Sequence, residues 1–501
     1  MHDLISESRD PAAAAFRRRM VVVGLVALAI AAVVAALALT RGGSRAADLR
    51  LARLAPAQAT DVSRARGVQS EVAVALDPSN PRVAIAGSND LPARAMRVYS
   101  TVDAGGHWRS RSLPLPSSSV CGTSDPSVAI AANGRQFYSF LGISCPGLRG
   151  PATRIYVSSR TPAGGAWRRP LVAAARSRSR VPFLDDRPSI TVDNGVESPH
   201  RGRLYVGWTR FSQAPFDEWI DPDSDEVHLV DTSALLSYSD DGGRHWSKPA
   251  VLSRRGDPLE VRIAVARSGS VYATWRDART NAVYVSSSAN GRAFGRQELV
   301  APSVVRPEQS CHTFRARIPA QPKRCVSPNP TIAVDTSAGP HSGRVYVVWG
   351  STSLNQSQDV YVAAFDSELH PKLGVGAVHQ VNPAEGFRGR DQFLPSAAVD
   401  AENGRLWVCY YLSIGKAGRS ARFTCTMSND GGEHWLRPIA ATTVASNETH
   451  KPADVANGYG DYEGVAAAGG KALAAWTDGR DLRRRREEVY AIRLSARPAP
   501  K

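Results

Sequence analysis

One pattern recurs along most of the chain and limits what it can become. It is an alternating strand, a Gly-containing turn, and a second strand ending in an aromatic residue. It reads EVAVALD…RVAIAG from Glu71 (without the closing aromatic), DPSVAIAANGRQFYSF from Asp125, DRPSITVD…GRLYVGW from Asp186 and VRIAVARSGSVYATW from Val261. It returns as NPTIAVD…GRVYVVW from Asn329, LPSAAVDAENGRLWVCYY from Leu394 and EGVAAAGGKALAAW from Glu463. The copies stand about 55 to 75 residues apart, room for a four-stranded antiparallel unit and a loop. The 41 Gly and 33 Pro are spread along the chain, as repeated reversals require. No Ser- or Pro-rich linker interrupts residues 65–497, so one all-β domain is expected there.

A second element follows several of these hairpins. Thr101-Val102-Asp103-Ala104-Gly105-Gly106-His107-Trp108, Ser239-Asp240-Asp241-Gly242-Gly243-Arg244-His245-Trp246 and Ser428-Asn429-Asp430-Gly431-Gly432-Glu433-His434-Trp435 share the form S/T-x-D-x-G-x-x-W. Worn copies keep Gly164 and Trp167 in the second unit, and Ser287, Asn290, Gly291 and Phe294 in the fourth. Gly accepts positive φ, the carboxylate can take backbone N–H bonds within a turn, and Trp offers a large apolar cap. The form resembles the Asp box (BNR repeat) of sialidases, the neuraminidase superfamily, over roughly residues 65–497. That resemblance implies a β-propeller of four-stranded antiparallel blades around a central channel. It also implies that Asp103, Gly105, Trp108, Asp241, Gly243, Trp246, Asp430, Gly432 and Trp435 are structural, placed between third and fourth strands. Sialidases have six blades; seven units are counted here, so seven blades are expected, with six as the alternative. The last unit lacks a fourth strand, which residues near Leu54 to Val62 could supply, closing the ring and removing an open edge.

Residues 20–40 carry no charge and, as a helix at about 1.5 Å per residue, span roughly 30 Å, a bilayer core. Arg17, Arg18 and Arg19 precede them, which places residues 1–19 in the cytoplasm and the rest outside. The segment is longer than the roughly 7 to 15 apolar residues of a cleaved signal peptide, although Ala36-Leu37-Ala38 offers a cleavage site. A single-pass signal anchor is therefore expected, then residues 41–64 as linker or closing strand. The six cysteines all lie beyond it, in an exported domain where disulfides form. Close neighbours are Cys121 with Cys145, Cys311 with Cys325, and Cys409 with Cys425; other pairings, or unpaired core thiols, stay open.

The formal net charge of +16 favours anionic partners on the outside: acidic glycans, wall polymers or lipid headgroups. Nucleic acid is not expected, because the basic residues are dispersed without interleaved aromatics. Arg483 to Arg486 reads as a solvated loop, and the triplets from Asn355 and Asn447 match glycosylation sequons.

In a propeller, inner strands start on the face where second strands end, and Asp boxes lie on the opposite face. The starts supply Asp125, Asp185, Asp186, Arg187, Arg262, Arg390, Asp391, Asp461, Tyr462 and Glu463; the ends supply Arg210, Arg276, Asp277, Arg279, Asp478 and Arg480. Arg187, Arg276, Asp277, Arg390, Asp391, Asp478 and Arg480 are the expected anion-binding set, with Arg forks gripping a carboxylate. The alternative for each is a salt bridge tying blades. Ca²⁺ held by Asp125, Asp186, Asp391 and Asp461 is a further option.

The resemblance adds a catalytic alternative, an exo-sialidase-type glycoside hydrolase. Sialidase chemistry uses a three-arginine clamp, an Asp acid/base and a Tyr nucleophile with a Glu. Arg187, Arg276 and Arg480 could form the clamp, Asp186 or Asp461 the acid, and Tyr459 or Tyr462 with Glu463 the nucleophile pair. The chain departs from the pattern where the first unit lacks the Arg-Ile-Pro motif; Arg317-Ile318-Pro319 lies between two cysteines instead. Non-catalytic binding of a glycan or other anion is the primary expectation, and a protein-interaction scaffold the third.

Overall fold

The computed structural model describes residues 49–54, 58–91, 93–145, 153–162, 165–173, 183–212, 231–253, 255–305, 310–311, 315–353, 357–373, 378–381, 389–450, 458–481 and 487–498. The apolar segment 20–40, Arg17 to Arg19, Arg483 to Arg486, Gly164, Asn355 and Asn457 lie outside them. No helix of the described residues is long and apolar enough to cross a membrane.

Among the described residues the fold is all-β and antiparallel. Seven sheets of four or five strands follow one another along the chain, with one extra three-stranded sheet. Their inner strands are Ala73–Leu76, Val120–Ile130, Phe183–Val192, Pro258–Val265, Thr331–Val334, Gln392–Val399 and Gly464–Ala468. Each inner strand packs against the next, and the seventh packs against the first, so the sheets form a closed, propeller-like ring. The inner strands are partly exposed along their length, whereas the second strands Ala84–Asp90, Val271–Asp277 and Val345–Thr352 are buried throughout. The small residues Ala73, Ser127 and Thr331 are partly exposed on the inner strands, and Gly464 lets its strand approach Val74 of the first sheet.

The seventh sheet closes with chain from before residue 65. Leu49–Arg53 and Thr60–Asp61 both pair with its third strand, Glu488–Pro498. The seventh sheet thus takes in the expected closing stretch near Leu54 to Val62 and chain back to Leu49, and the paired edge removes an exposed ladder.

Apolar clusters join successive sheets. The indoles of Trp208, Trp275, Trp349 and Trp476 hold the same place near the end of the second strand and are fully buried. Phe140 and Tyr410 hold it in the second and sixth sheets. In the first sheet the place falls to Gly87, where a Cβ would lie 2.5 Å from the Tyr138 hydroxyl. Tyr138 of the next sheet fills that space and donates to the Arg97 carbonyl at 3.0 Å. Phe423 of the sixth sheet stacks on Trp476 of the seventh, and within the sixth sheet Phe393 stacks on its cross-strand partner Tyr411.

Serines at the inner-strand starts staple neighbours. Ser127 Oγ accepts from Ile190 N–H, Ser189 Oγ from Ile263 N–H, and Ser396 Oγ from Val465 N–H, at 3.0, 3.4 and 3.1 Å. Disulfides join Cys121 to Cys145, Cys311 to Cys325 and Cys409 to Cys425. The S/T-x-D-x-G-x-x-W turns follow the third strands. In each, the hydroxyl of Thr101, Ser239 or Ser428 donates to its Asp at 2.8 Å, and the backbone N–H of His107, His245 or His434 donates to the same carboxylate.

Candidate binding site at the channel mouth

Aligning the seven units puts Glu71, Asp125, Arg187, Glu260, Asn329, Leu394 and Tyr462 at one position, where each inner strand begins. The first six have positive φ (60°, 61°, 49°, 63°, 44° and 51°). A left-handed backbone costs a non-glycine residue about 1–2 kcal/mol, so the turn is held by its surroundings. The register shifts between Ser124 and Ser127, Asp186 and Ser189, Leu259 and Arg262, and Phe393 and Ser396. These bulges re-aim the side chains into the bore. Neighbouring sheets then interlock: Asp125 N–H donates to Asn89 Oδ1 at 3.1 Å, and Arg187 N–H to Asp125 Oδ2 at 3.0 Å.

The resulting cluster is buried and charged. Arg187 Nη1 and Arg276 Nε lie 3.3 and 3.0 Å from Glu260 Oε1. Arg187 Nη2 also donates to Asn329 Oδ1 at 2.7 Å. The three-stranded sheet (Ser310–Cys311, Arg315–Ile318, Gln321–Val326) is an insertion between the fourth and fifth sheets. It delivers Arg324, whose Nε and Nη2 take Asp461 at 2.9 and 2.7 Å, and whose Nη2 also takes Glu71 at 3.1 Å. Arg315 Nη1 adds a contact to Asp461 at 3.4 Å. Gln321 Nε2 donates to the Gly460 carbonyl and Gln321 Oε1 accepts from Tyr459 N–H. The insertion thus crosses the mouth from the fourth and fifth sheets to the seventh and first.

Burial would raise every carboxyl here, and the arginines decide which ones resist. Glu260 is pulled down to about 2 by Arg276, Arg187 and Arg315 despite its burial. Asp461 is held well below the carboxylate range by Arg324, Arg315 and Arg187. Burial, then the Asp125 charge, pushes Glu71 up to about 8. Asp125 is pushed up to about 7 by burial and by Asp186, and Asp186 up to about 6 by burial. Arg262 is half-buried, with its guanidinium 4.6 Å from the Tyr462 ring centre. Among the described residues Arg262 makes no ion pair, and burial and the Arg187 charge lower it to about 10.

The sequence-predicted residues divide. Asp125, Asp186, Arg187, Arg262, Arg276, Asp461 and Tyr462 meet in the bore. Tyr462 packs under Arg187 as well as Arg262, and its hydroxyl donates to the Pro126 carbonyl at 3.2 Å. Glu463 points the other way, taking Tyr411 Oη at 2.6 Å and Thr477 N–H at 3.1 Å. Tyr459 is buried against Tyr411 and donates to the Ser446 carbonyl. The period-two alternation of a strand separates neighbours in this way.

WRDAR and WTDGR match residue by residue, so the seventh-sheet counterpart of Arg276 is Thr477, and Arg480 corresponds to Arg279. Arg480 bonds Asp478 and Thr442 and stacks on Tyr490, away from the Glu260 cluster. Arg279 pairs with Asp257 and Arg210 with Asp185, as ties within a sheet. Asp277 accepts from the Arg279 and Thr280 N–H groups. Arg390 is exposed, and Asp391 accepts from Gln358 N–H, so neither joins the cluster. The cation site of Asp125, Asp186, Asp391 and Asp461 is not assembled: Asp391 stands apart and Asp461 is committed to arginines. Among the described residues no set of three or more His, Cys, Asp or Glu could hold a metal.

Glu71, Glu260, Asn329, Arg315 and Arg324 were missed by sequence reasoning. The first three occupy the aligned position of Asp125 and Arg187, so a closer alignment of the units would have found them. The two arginines sit in the insertion, outside the repeat, and carry no such signal.

No protein-family model matches the chain, and no curated protein matches it. Solved structures similar to it include a protein of unknown function from Dyadobacter fermentans, at 14% identity and TM-score 0.44, covering 73% of this chain and 96% of that one. A Trypanosoma rangeli sialidase in complex with the inhibitor DANA is similar at 11% identity and TM-score 0.43, covering 73% of this chain and 58% of that one. A Penicillium chrysogenum alpha-L-arabinanase complexed with arabinobiose is similar at 14% identity and TM-score 0.42, covering 74% and 92%. The chain thus spans a little over half the length of the trypanosomal sialidase chain.

Proposed function

We propose that the chain is a seven-bladed, sialidase-like propeller, anchored by residues 20–40 and displayed outside the cell, that binds an acidic glycan at its channel mouth. The observation that carries this reading is the charge balance of the cluster. Five arginines, 187, 262, 276, 315 and 324, always charged, face two carboxylates held ionised, Glu260 and Asp461. The other three acids are shifted toward their neutral forms. The mouth is therefore net positive near neutrality, and Arg262 is the cation without a carboxylate of its own. A carboxylate or sulfate on a sugar supplies what it lacks.

Binding asks little rearrangement of this geometry. Hydrolysis of sialidase type asks more: Arg187 and Arg276 would have to leave Glu260, and the Tyr462 hydroxyl the Pro126 carbonyl. The test is retention of the full-length protein, in detergent, on an array pairing acid-terminated glycans with their neutral counterparts. Retention confined to the acidic members supports the reading, and equal or absent retention contradicts it. Release of fluorophore from a sialoside, lost in Tyr462→Phe, would replace it with the hydrolase.

A further inference from the structure

The insertion carries two kinds of positive charge. Arg324 and Arg315 turn toward the bore and hold Asp461, whereas Arg317 and Lys323, on the same two strands, are exposed. Residues 310–326 contain no Asp or Glu, so nothing within the insertion offsets them. Its tip reaches the sixth sheet: a Cβ on Gly418 would lie 3.6 Å from Pro319 Cβ. Gly418 belongs to the turn between the second and third strands of that sheet, Leu406–Ile414 and Ser420–Ser428. Gln392, at the start of the inner strand, pairs with Leu412, so this turn stands at the mouth end. It carries Lys416 and Arg419, both exposed. Ser413 N–H donates to the Asp391 carbonyl at 2.8 Å, which sets exposed Arg390 beside the same turn.

Arg317, Lys323, Arg390, Lys416 and Arg419 thus form one strip from the insertion to the rim. Among the described residues none of the five makes an ion pair. Three carboxylates are partly exposed among the described residues at this end of the sixth and seventh sheets. Asp461 is held by Arg324 and Arg315, and Asp391 accepts from Gln358 N–H; Asp481 is the third. The cations therefore outnumber the acids, and their mutual repulsion favours an anionic partner. None of the exposed large apolar side chains lies on the described part of the insertion or on the turn Gly415–Arg419. The strip offers no ring for a base to stack on and no apolar wedge for a bilayer. It offers a row of hydrogen-bonding cations, which fits a hydrated chain carrying a charge on successive units.

We propose that the ligand is a linear polyanionic glycan with an acid group on successive sugars, seated by one acid at Arg262 and by following ones along the strip to Lys416 and Arg419. The proposal rests on the reading of the mouth as an acidic-glycan site. Arg262 stands on the Tyr462 ring, and the neighbouring Asp461 anchors the insertion, so the strip begins beside the bore. Each exposed cation adds little alone, because water and salt screen it. Several act together on one chain, since the first contact holds the following acids at high local concentration. Affinity then rises with the length of the ligand until the strip is filled.

The experiment is calorimetric titration of the full-length protein, in detergent, with a trimer and an octamer of galacturonate. The native chain should bind the octamer at least roughly tenfold more tightly than the trimer, an advantage that shrinks as NaCl is raised. With Arg317→Gln, Lys416→Gln and Arg419→Gln combined, the octamer should bind no more tightly than the trimer. In Arg262→Ala both oligomers should weaken. Equal affinity for the two oligomers in the native chain, or an octamer advantage that survives in the triple variant, overturns the extended path and leaves the acidic-glycan reading standing. So does a single-stranded DNA octamer that binds as tightly as the octagalacturonate, and so does failure of both oligomers on a chain that the array shows to retain acid-terminated glycans. Retention of no acidic member on that array overturns the underlying reading and this proposal with it.

Discussion

Glu260 is buried between Arg187 and Arg276. Its removal leaves buried guanidinium charges uncompensated, so Glu260→Ala should cost about 3–5 kcal/mol in urea unfolding. Glu71, Asp125 and Asp186 behave oppositely. Their folded pKa values, about 8, 7 and 6, lie above those of an unfolded chain, so the native state holds extra protons. Their contribution to stability is complete below about pH 4 and is lost as pH rises through about 6 to 8. Asp125→Asn should flatten that decline, as read by unfolding midpoints across this range. A decline of equal slope in the variant would remove Asp125 from the account. Of these residues, Asp125 and Asp186 were legible because they stand at strand starts beside recognisable repeats. Glu260 was not, because Val261-Arg262-Ile263 marks the strand and its bulged first residue precedes the alternation.

The strands themselves were readable from alternation and Gly turns, and each of the seven hairpins forms where the pattern stands. Two elements escaped that reading. The fifth-sheet turn at Asp366 lacks Gly and Trp, so only its Asp and His survive as a signal. The insertion at Ser310–Val326 belongs to no repeat; its two cysteines marked a loop, but not that the loop crosses the bore. Its hold depends on Arg324, which bridges Asp461 and Glu71. Arg324→Ala should speed hydrogen exchange in residues 315–326 by roughly tenfold or more, the loss of at least about 1.4 kcal/mol of charged hydrogen bonding. Unchanged exchange there would mean that the Cys311–Cys325 disulfide and Gln321 hold the insertion without it. For the turns after the third strands, Asp241→Ala removes the acceptor for Ser239 Oγ, Arg244 N–H and His245 N–H. The turn is exposed, so the expected cost is about 1–2 kcal/mol in urea unfolding, with no effect on ligand retention at the opposite face.

At the scale of the molecule, ring closure and the location of the charge decide the account. The sequence marked a missing fourth strand in the last unit, and the pairing of Thr60–Asp61 with Glu488–Pro498 shows what fills it. It could not show that the five arginines outnumber the ionised acids at one mouth, because that follows from burial and from an insertion that crosses the ring. The central claim is that this mouth holds an anion through Arg262. Its most direct test is calorimetric titration of the full-length protein with an acid-terminated oligosaccharide retained on the array, for the native chain, Arg262→Ala and Arg262→Lys. The account predicts binding that weakens at least roughly tenfold in Arg262→Ala, is partly restored in Arg262→Lys, and tightens as pH falls from 8 to 6 while the neighbouring acids take up protons. Equal affinity in Arg262→Ala would contradict it.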